Sequence, residues 1–126
     1  MSWQAYVDNN LIGSGKVSKA AILGLAGGVW ASSSGYTIAP AEQKAIVESF
    51  KNPVAAQASG VRIIGQKFFT LQANDRSIYG KKQADGCVLV KTKQAVLVTE
   101  YITPIQAGEC TTVVEGLADY LISVGY

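Results

Sequence analysis

A chain of 126 residues, 48% apolar and 16% charged, holds enough material for one hydrophobic core and too little for a second, so a single domain over 1–126 is expected. It contains no histidine, which excludes imidazole acid–base chemistry, a His-based triad and a His metal site. The net charge of +2 decides little by itself, no run of eighteen apolar residues occurs, and MSWQAYVDNN is neither a basic nor an apolar leader, so a cytoplasmic protein is expected.

Ser2 is placed to cap a short helix whose Val7 and Leu11 face inward, with Trp3 and Tyr6 one turn apart on a neighbouring face. Gly13-Ser-Gly-Lys16 ends it. That turn lacks the first glycine and the Ser or Thr of a phosphate loop and follows a helix instead of a strand, so it reads as a plain turn. Ala20–Leu25 and Val29–Ala31 form a hairpin across Gly27-Gly28, with Trp30 on the return strand. Pro40 opens a helix through Phe50 with Ile46, Val47 and Phe50 on one side, and Asn52-Pro53 breaks it before one more turn at Val54–Ala58.

From Val61 onward the pattern is strand: 61–64, 67–73, 77–82, 86–91 and 94–101, joined by links short enough to demand antiparallel neighbours. Cys87-Val-Leu-Val90 and Ala95-Val-Leu-Val98 are apolar without alternation, as in strands covered on both faces. Gly108–Tyr126 closes the chain as one amphipathic helix whose buried stripe is Cys110, Val113, Val114, Leu117, Ala118, Leu121 and Ile122. Tyr120 and Tyr126 fall beside that stripe. The fold class expected is α+β: three layers, a central antiparallel sheet with the N- and C-terminal helices on one face and two short helices on the other. Cys87 and Cys110 read as reduced core residues, not as a disulfide.

Charge is uneven along the chain. Between Arg62 and Lys93 lie Arg62, Lys67, Arg76, Lys81, Lys82, Lys91 and Lys93 against only Asp75 and Asp85, a window of +5 that leaves the remainder near −3. One positive surface for an acidic partner is expected there, with a solvated edge as the plainer alternative. The nine carboxylates are scattered, with no pair spaced as a catalytic dyad or calcium loop, so neither an enzyme nor a metal or cofactor site is expected. The aromatics say more. Trp3, Tyr6, Trp30, Tyr120 and Tyr126 meet if the terminal helices pack side by side, and then either fill the gap between them or form an exposed groove suited to polyproline segments.

Four blocks carry a resemblance: MSWQAYVDNNLIGSGKV, Gly65-Gln-Lys67, Asp75-Arg-Ser-Ile-Tyr-Gly80, and Leu117-Ala-Asp-Tyr-Leu121 with Val124-Gly-Tyr126. In order and spread over the whole chain, they resemble the profilins, and the fungal branch more than the animal one. The resemblance implies a profilin-like domain that binds monomeric actin one to one, proline-rich segments of formins and similar assembly factors, and phosphoinositides such as phosphatidylinositol 4,5-bisphosphate, in a cytoskeleton-associated role without nucleic acid. By position it assigns polyproline binding to Trp3, Tyr6, Trp30, Tyr120 and Tyr126. Actin binding falls to Arg76 and Tyr79 with Lys81, Lys82 and Lys91 as supporting charge, and phosphoinositide binding to Arg76, Lys81 and Lys82. Gln72, where a basic residue is expected, and Thr111-Thr112, without the lysine of some relatives, remove charge from the actin face, and each such rim charge is worth about 0–1 kcal/mol. Weakened actin and lipid binding is the expectation, with a phosphoinositide- and polyproline-binding adaptor of weak or lost actin binding as the alternative.

Overall fold

The structure is a computed structural model and describes residues 2–126. Seven antiparallel strands form one sheet in the order β2-β1-β7-β6-β5-β4-β3. They are β1 Lys19–Gly24, β2 Val29–Ser32, β3 Val61–Ile63, β4 Gln66–Ala73, β5 Ser77–Lys82, β6 Asp85–Lys91 and β7 Ala95–Tyr101. The helices are α1 Trp3–Ala5, α2 Pro40–Lys51, α3 Pro53–Ser59 and α4 Ala107–Ser123. The α+β layering expected from the sequence is the one observed. Val7, Leu11, Val88, Val90, Leu97, Val114 and Leu121 pack between the terminal helices and one face, while Ile46, Phe50, Phe68, Leu89 and Val98 pack between α2, α3 and the other. Strands β6 and β7 lie in the middle and bury both sides, which explains their unbroken apolar runs.

Three local features differ from the simplest reading. The first helix is capped by Ser2, whose Oγ accepts from the Ala5 amide, but after one turn it widens into a π-helical stretch at Tyr6–Leu11 and closes with a 3₁₀ turn at Ile12–Ser14. Val7 and Leu11 are fully buried as expected. The last helix stops at Ser123, not at Tyr126, because Gly125 takes a φ of +97° and turns the chain back. The Tyr126 amide then donates to the Leu121 carbonyl and the Gly125 amide to that of Ile122, the paired bonds of a Schellman stop. Third, the sheet divides the cations of the +5 window between its two faces.

Leu121 sits fully buried between α4 and the sheet. Leu121→Ala is expected to cost about 2–5 kcal/mol in urea unfolding, through lost transfer energy and the cavity left behind. Val54→Ala, at a side chain 82% exposed, is expected to change stability by less than about 0.5 kcal/mol.

Candidate functional site

The five aromatics singled out in the sequence come together at the β2 edge of the sheet. Trp3 is their centre: its ring centroid lies 4.7 Å from that of Trp30, 5.1 Å from Tyr126 and 5.6 Å from Tyr6, and Tyr6 is 6.3 Å from Tyr120. Three of them are positioned by different devices. Gln4 donates to the Ser32 carbonyl at 2.8 Å and ties α1 to β2. Trp30 lies over Gly24 of β1, where a Cβ would stand 2.6 Å from the indole Nε1, so only glycine leaves room for the ring. Tyr126 is held by its carbonyl oxygen, which accepts from the Gln94 amide at 2.6 Å and the Thr92 hydroxyl at 2.7 Å, while Gln94 Nε2 donates to the Gly125 carbonyl.

These rings do not fill an interior gap. Trp30, Tyr120 and Tyr126 are 37%, 51% and 43% exposed, and Trp3 and Tyr6 are half-buried beneath them. The result is a shallow aromatic groove with its faces open. Desolvation, and the neighbouring Tyr120 and Tyr126 phenols, hold the Tyr6 pKa above its ordinary value, so its hydroxyl is a neutral hydrogen-bonding group at physiological pH. An apolar trough rimmed by phenol and indole donors can stack pyrrolidine rings and bind the free carbonyls of an extended segment.

The cleft continues along the helices. Beyond Tyr6 and Tyr120 it opens into a pocket of about 300 Å³ that adds Asn10, Val113, Gly116 and Leu117. Gly116 lies mid-helix in α4, where glycine is about 1 kcal/mol less favourable than alanine, and a Cβ there would meet nothing within 4 Å. At the far end of the cleft, Lys16 pairs with Glu109 at 2.5 Å and pins the turn after the first helix to the start of α4.

A second surface lies across the sheet. The terminal helices leave the same face of β5, β4 and β3 uncovered, and Phe69 and Leu71 stand out there at 70% and 57% exposed. A bulge between Thr70 and Gln72 brings Gln72 opposite Tyr79 while Phe69 faces Lys81. Arg62 pairs across strands with Lys67 on this face, and Lys67 lies over the Phe69 ring at 5.8 Å. Where the open face meets α4, Glu115 collects three donors. Arg76 reaches it at 3.0 Å and Asp119 at 2.7 Å, Ser77 Oγ donates at 2.7 Å, and Tyr79 donates its phenolic hydrogen. Hydrogen bonds to Asp119 and Glu115 raise the Arg76 pKa; desolvation and the bond to Glu115 raise that of Tyr79.

The basic residues named from the sequence are thus divided. Tyr79 and Lys81 look out on the open face, and Arg76 borders it but is already engaged by two carboxylates. Lys82 points to the opposite face, where it donates to Gln66 Oε1 at 3.2 Å, and Lys91 pairs with Val96 on that opposite face at the other end of the sheet. A single patch of Arg76, Tyr79, Lys81, Lys82 and Lys91, or of Arg76, Lys81 and Lys82, is therefore not what the fold makes. Instead Arg62, Lys67 and Lys81 make a positive stripe on the open face, and none of the three forms an ion pair among the described residues. Sequence reasoning missed Phe69 and Leu71. The signal was present in Phe68-Phe69-Thr-Leu71: if Phe68 is core, Phe69 and Leu71 face outward on a strand.

Both cysteines are free and buried, with the Cys110 thiol pushed up to about 11 by burial. No group of three or more His, Cys, Asp or Glu placed to hold a metal occurs among the described residues.

Comparison with known proteins gives one answer. The profilin family model matches residues 1–126. The profilin of Saccharomyces cerevisiae is 55% identical over 127 residues, covering all of both chains. Among solved structures, Acanthamoeba castellanii profilin IB superposes with a TM-score of 0.96 at 50% identity, covering 99% of this chain and 100% of that one. Mouse profilin IIa in complex with a double repeat from the FH1 domain of mDia1 shares the fold at 23% identity, with a TM-score of 0.82 and full coverage of both chains.

Proposed function

The chain belongs to the profilin family, nearer its fungal relatives, and from that premise we propose a two-faced adaptor that holds a proline-rich segment on one surface and an actin monomer on the other. The observation that carries the reading is the open aromatic groove. Five rings converge there, three of them exposed and two half-buried beneath, an open arrangement that a structural role alone does not require. The family member solved with a formin FH1 repeat supports proline-rich assembly factors as partners.

For the second surface the support is compositional. Phe69, Leu71 and the ring of Tyr79 supply apolar area, and Arg62, Lys67 and Lys81 supply positive charge at its rim, a combination that fits an acidic protein partner. Actin is that partner in this reading, bound one to one, with Arg76 acting through Glu115 to hold the edge of α4 against the open face. Gln72 opposite Tyr79 carries no charge, so affinity is reduced and not lost. Tethered and bound at once, an actin monomer is concentrated at the assembly factor.

Beads carrying a proline-rich peptide are expected to retain actin only when this protein is added. Retention of the protein without actin would overturn the adaptor and favour the polyproline- and lipid-binding alternative. Phosphoinositide headgroups compete for the Arg62, Lys67 and Lys81 stripe in this reading. Cosedimentation with vesicles containing phosphatidylinositol 4,5-bisphosphate is expected to fall steeply with salt, as each lysine or arginine near an anionic surface contributes about 1 kcal/mol.

A further inference from the structure

The rings Trp3 with Tyr126, then Tyr6 with Tyr120, form successive rungs between two helical segments that run in opposite directions. Asn10, Val113 and Gly116 make a third rung, in the 300 Å³ pocket floored by Leu117, which is only 7% exposed. Gly116 precedes Tyr120 by four residues, about 6 Å along a helix at 1.5 Å per residue. Two residues of polyproline II, at about 3.1 Å each, cover the same distance.

Gly116 is the unusual residue. Its site requires no positive φ, and nothing within 4 Å would obstruct a Cβ, so no contact inside the chain accounts for a helix-weakening glycine here. What glycine does is keep the pocket open beside Val113. Asn10 is exposed on the opposite wall, and its carboxamide makes no hydrogen bond among the described residues. A polyproline II segment has no internal hydrogen bonds, so its carbonyls are free to accept from such a donor.

We propose that this pocket is a further subsite for the proline-rich ligand, taking two residues past the aromatic set. A pyrrolidine ring rests on Val113 and Leu117 in the space Gly116 leaves, and Asn10 donates to a ligand carbonyl. The subsite rests on the polyproline reading and makes the groove select for longer uninterrupted proline runs.

Isothermal titration calorimetry with hexaproline and decaproline tests it. Gly116→Leu, which fills the pocket and favours the helix, is expected to weaken decaproline five- to tenfold and hexaproline less than twofold. Asn10→Ala is expected to weaken decaproline about threefold and hexaproline not at all. Unchanged decaproline binding in both variants, while Trp3→Ala still removes it, would overturn the subsite and leave the aromatic groove standing. Equal losses for the two peptides would also overturn it, since the effect would then lie at the aromatic rings. Failure of the unsubstituted protein to bind decaproline would overturn the polyproline reading itself.

Discussion

Trp3→Ala is expected to remove measurable polyproline binding while leaving actin affinity within about twofold of the unsubstituted protein. Trp3 touches Trp30, Tyr126 and Tyr6, so its loss deletes the floor of the groove and frees the rings around it. Truncating such an anchor costs about 2–4 kcal/mol, a factor of roughly thirty to a thousand. The fold survives because the first helix is held by Val7 and Leu11, both fully buried, and by Gln4 on Ser32. Actin binding survives because the open face begins at β5, four strands from β2, or about 19 Å at 4.8 Å per strand. Calorimetry with decaproline and sedimentation velocity with monomeric actin, on one sample, measure both. A loss of actin affinity as large as the loss of polyproline affinity, with the circular dichroism unchanged, would show that the surfaces are coupled through α4.

That coupling is the natural alternative, since α4 serves both surfaces. Tyr120 and Gly116 line the cleft, while Glu115 and Asp119 on another flank hold Arg76 and Tyr79. Five buried residues of the same helix, Cys110, Val114, Leu117, Ala118 and Leu121, fix it on the sheet, so a change on one flank meets a rigid body before it reaches the other.

The layers were legible in the sequence because burial imposes a period. Val114, Leu117, Ala118 and Leu121 recur with the helical turn, and the doubly buried β6 and β7 lose alternation altogether. The end of the last helix was not legible in the same way, since the apolar stripe fades before Gly125 decides the turn. The aromatic groove was legible as a set because large rings off the buried stripes have few other places to go. The charge cluster failed for a geometric reason. Lys81 and Lys82 are adjacent in sequence, but successive strand residues face opposite sides, so a linear window of charge is split by the sheet. Glu115 escaped notice because a lone helix carboxylate has no local signature. Only the fold brings Arg76, Ser77 and Tyr79 to it from about forty residues away.

In the proposed reading Tyr79 is the anchor of the second surface. Its ring lies partly against the core below α4 and partly open beside Gln72, and its hydroxyl is committed to Glu115. Burying an aromatic ring at an interface is worth about 1.5–3 kcal/mol, and a ring already half-buried has roughly the lower figure left to give, close to tenfold in affinity. Tyr79→Ala is therefore expected to weaken actin binding at least tenfold at low and at physiological salt alike, because the lost term is apolar and unscreened. Tyr79→Phe keeps the ring and loses one of three donors to Glu115, which Arg76 and Ser77 continue to hold, so a change below about threefold is expected. Lys81→Gln, by contrast, is expected to show its effect only at low salt, as a slower association. Sedimentation with monomeric ATP-actin reads the affinities, and stopped-flow mixing at low and at physiological salt reads the association rate of Lys81→Gln. Equal binding by Tyr79→Ala and the unsubstituted protein would remove the open face of β5 from the actin site, whereas a Tyr79→Phe defect as deep as that of alanine would shift the anchor from the ring to the Glu115 contact.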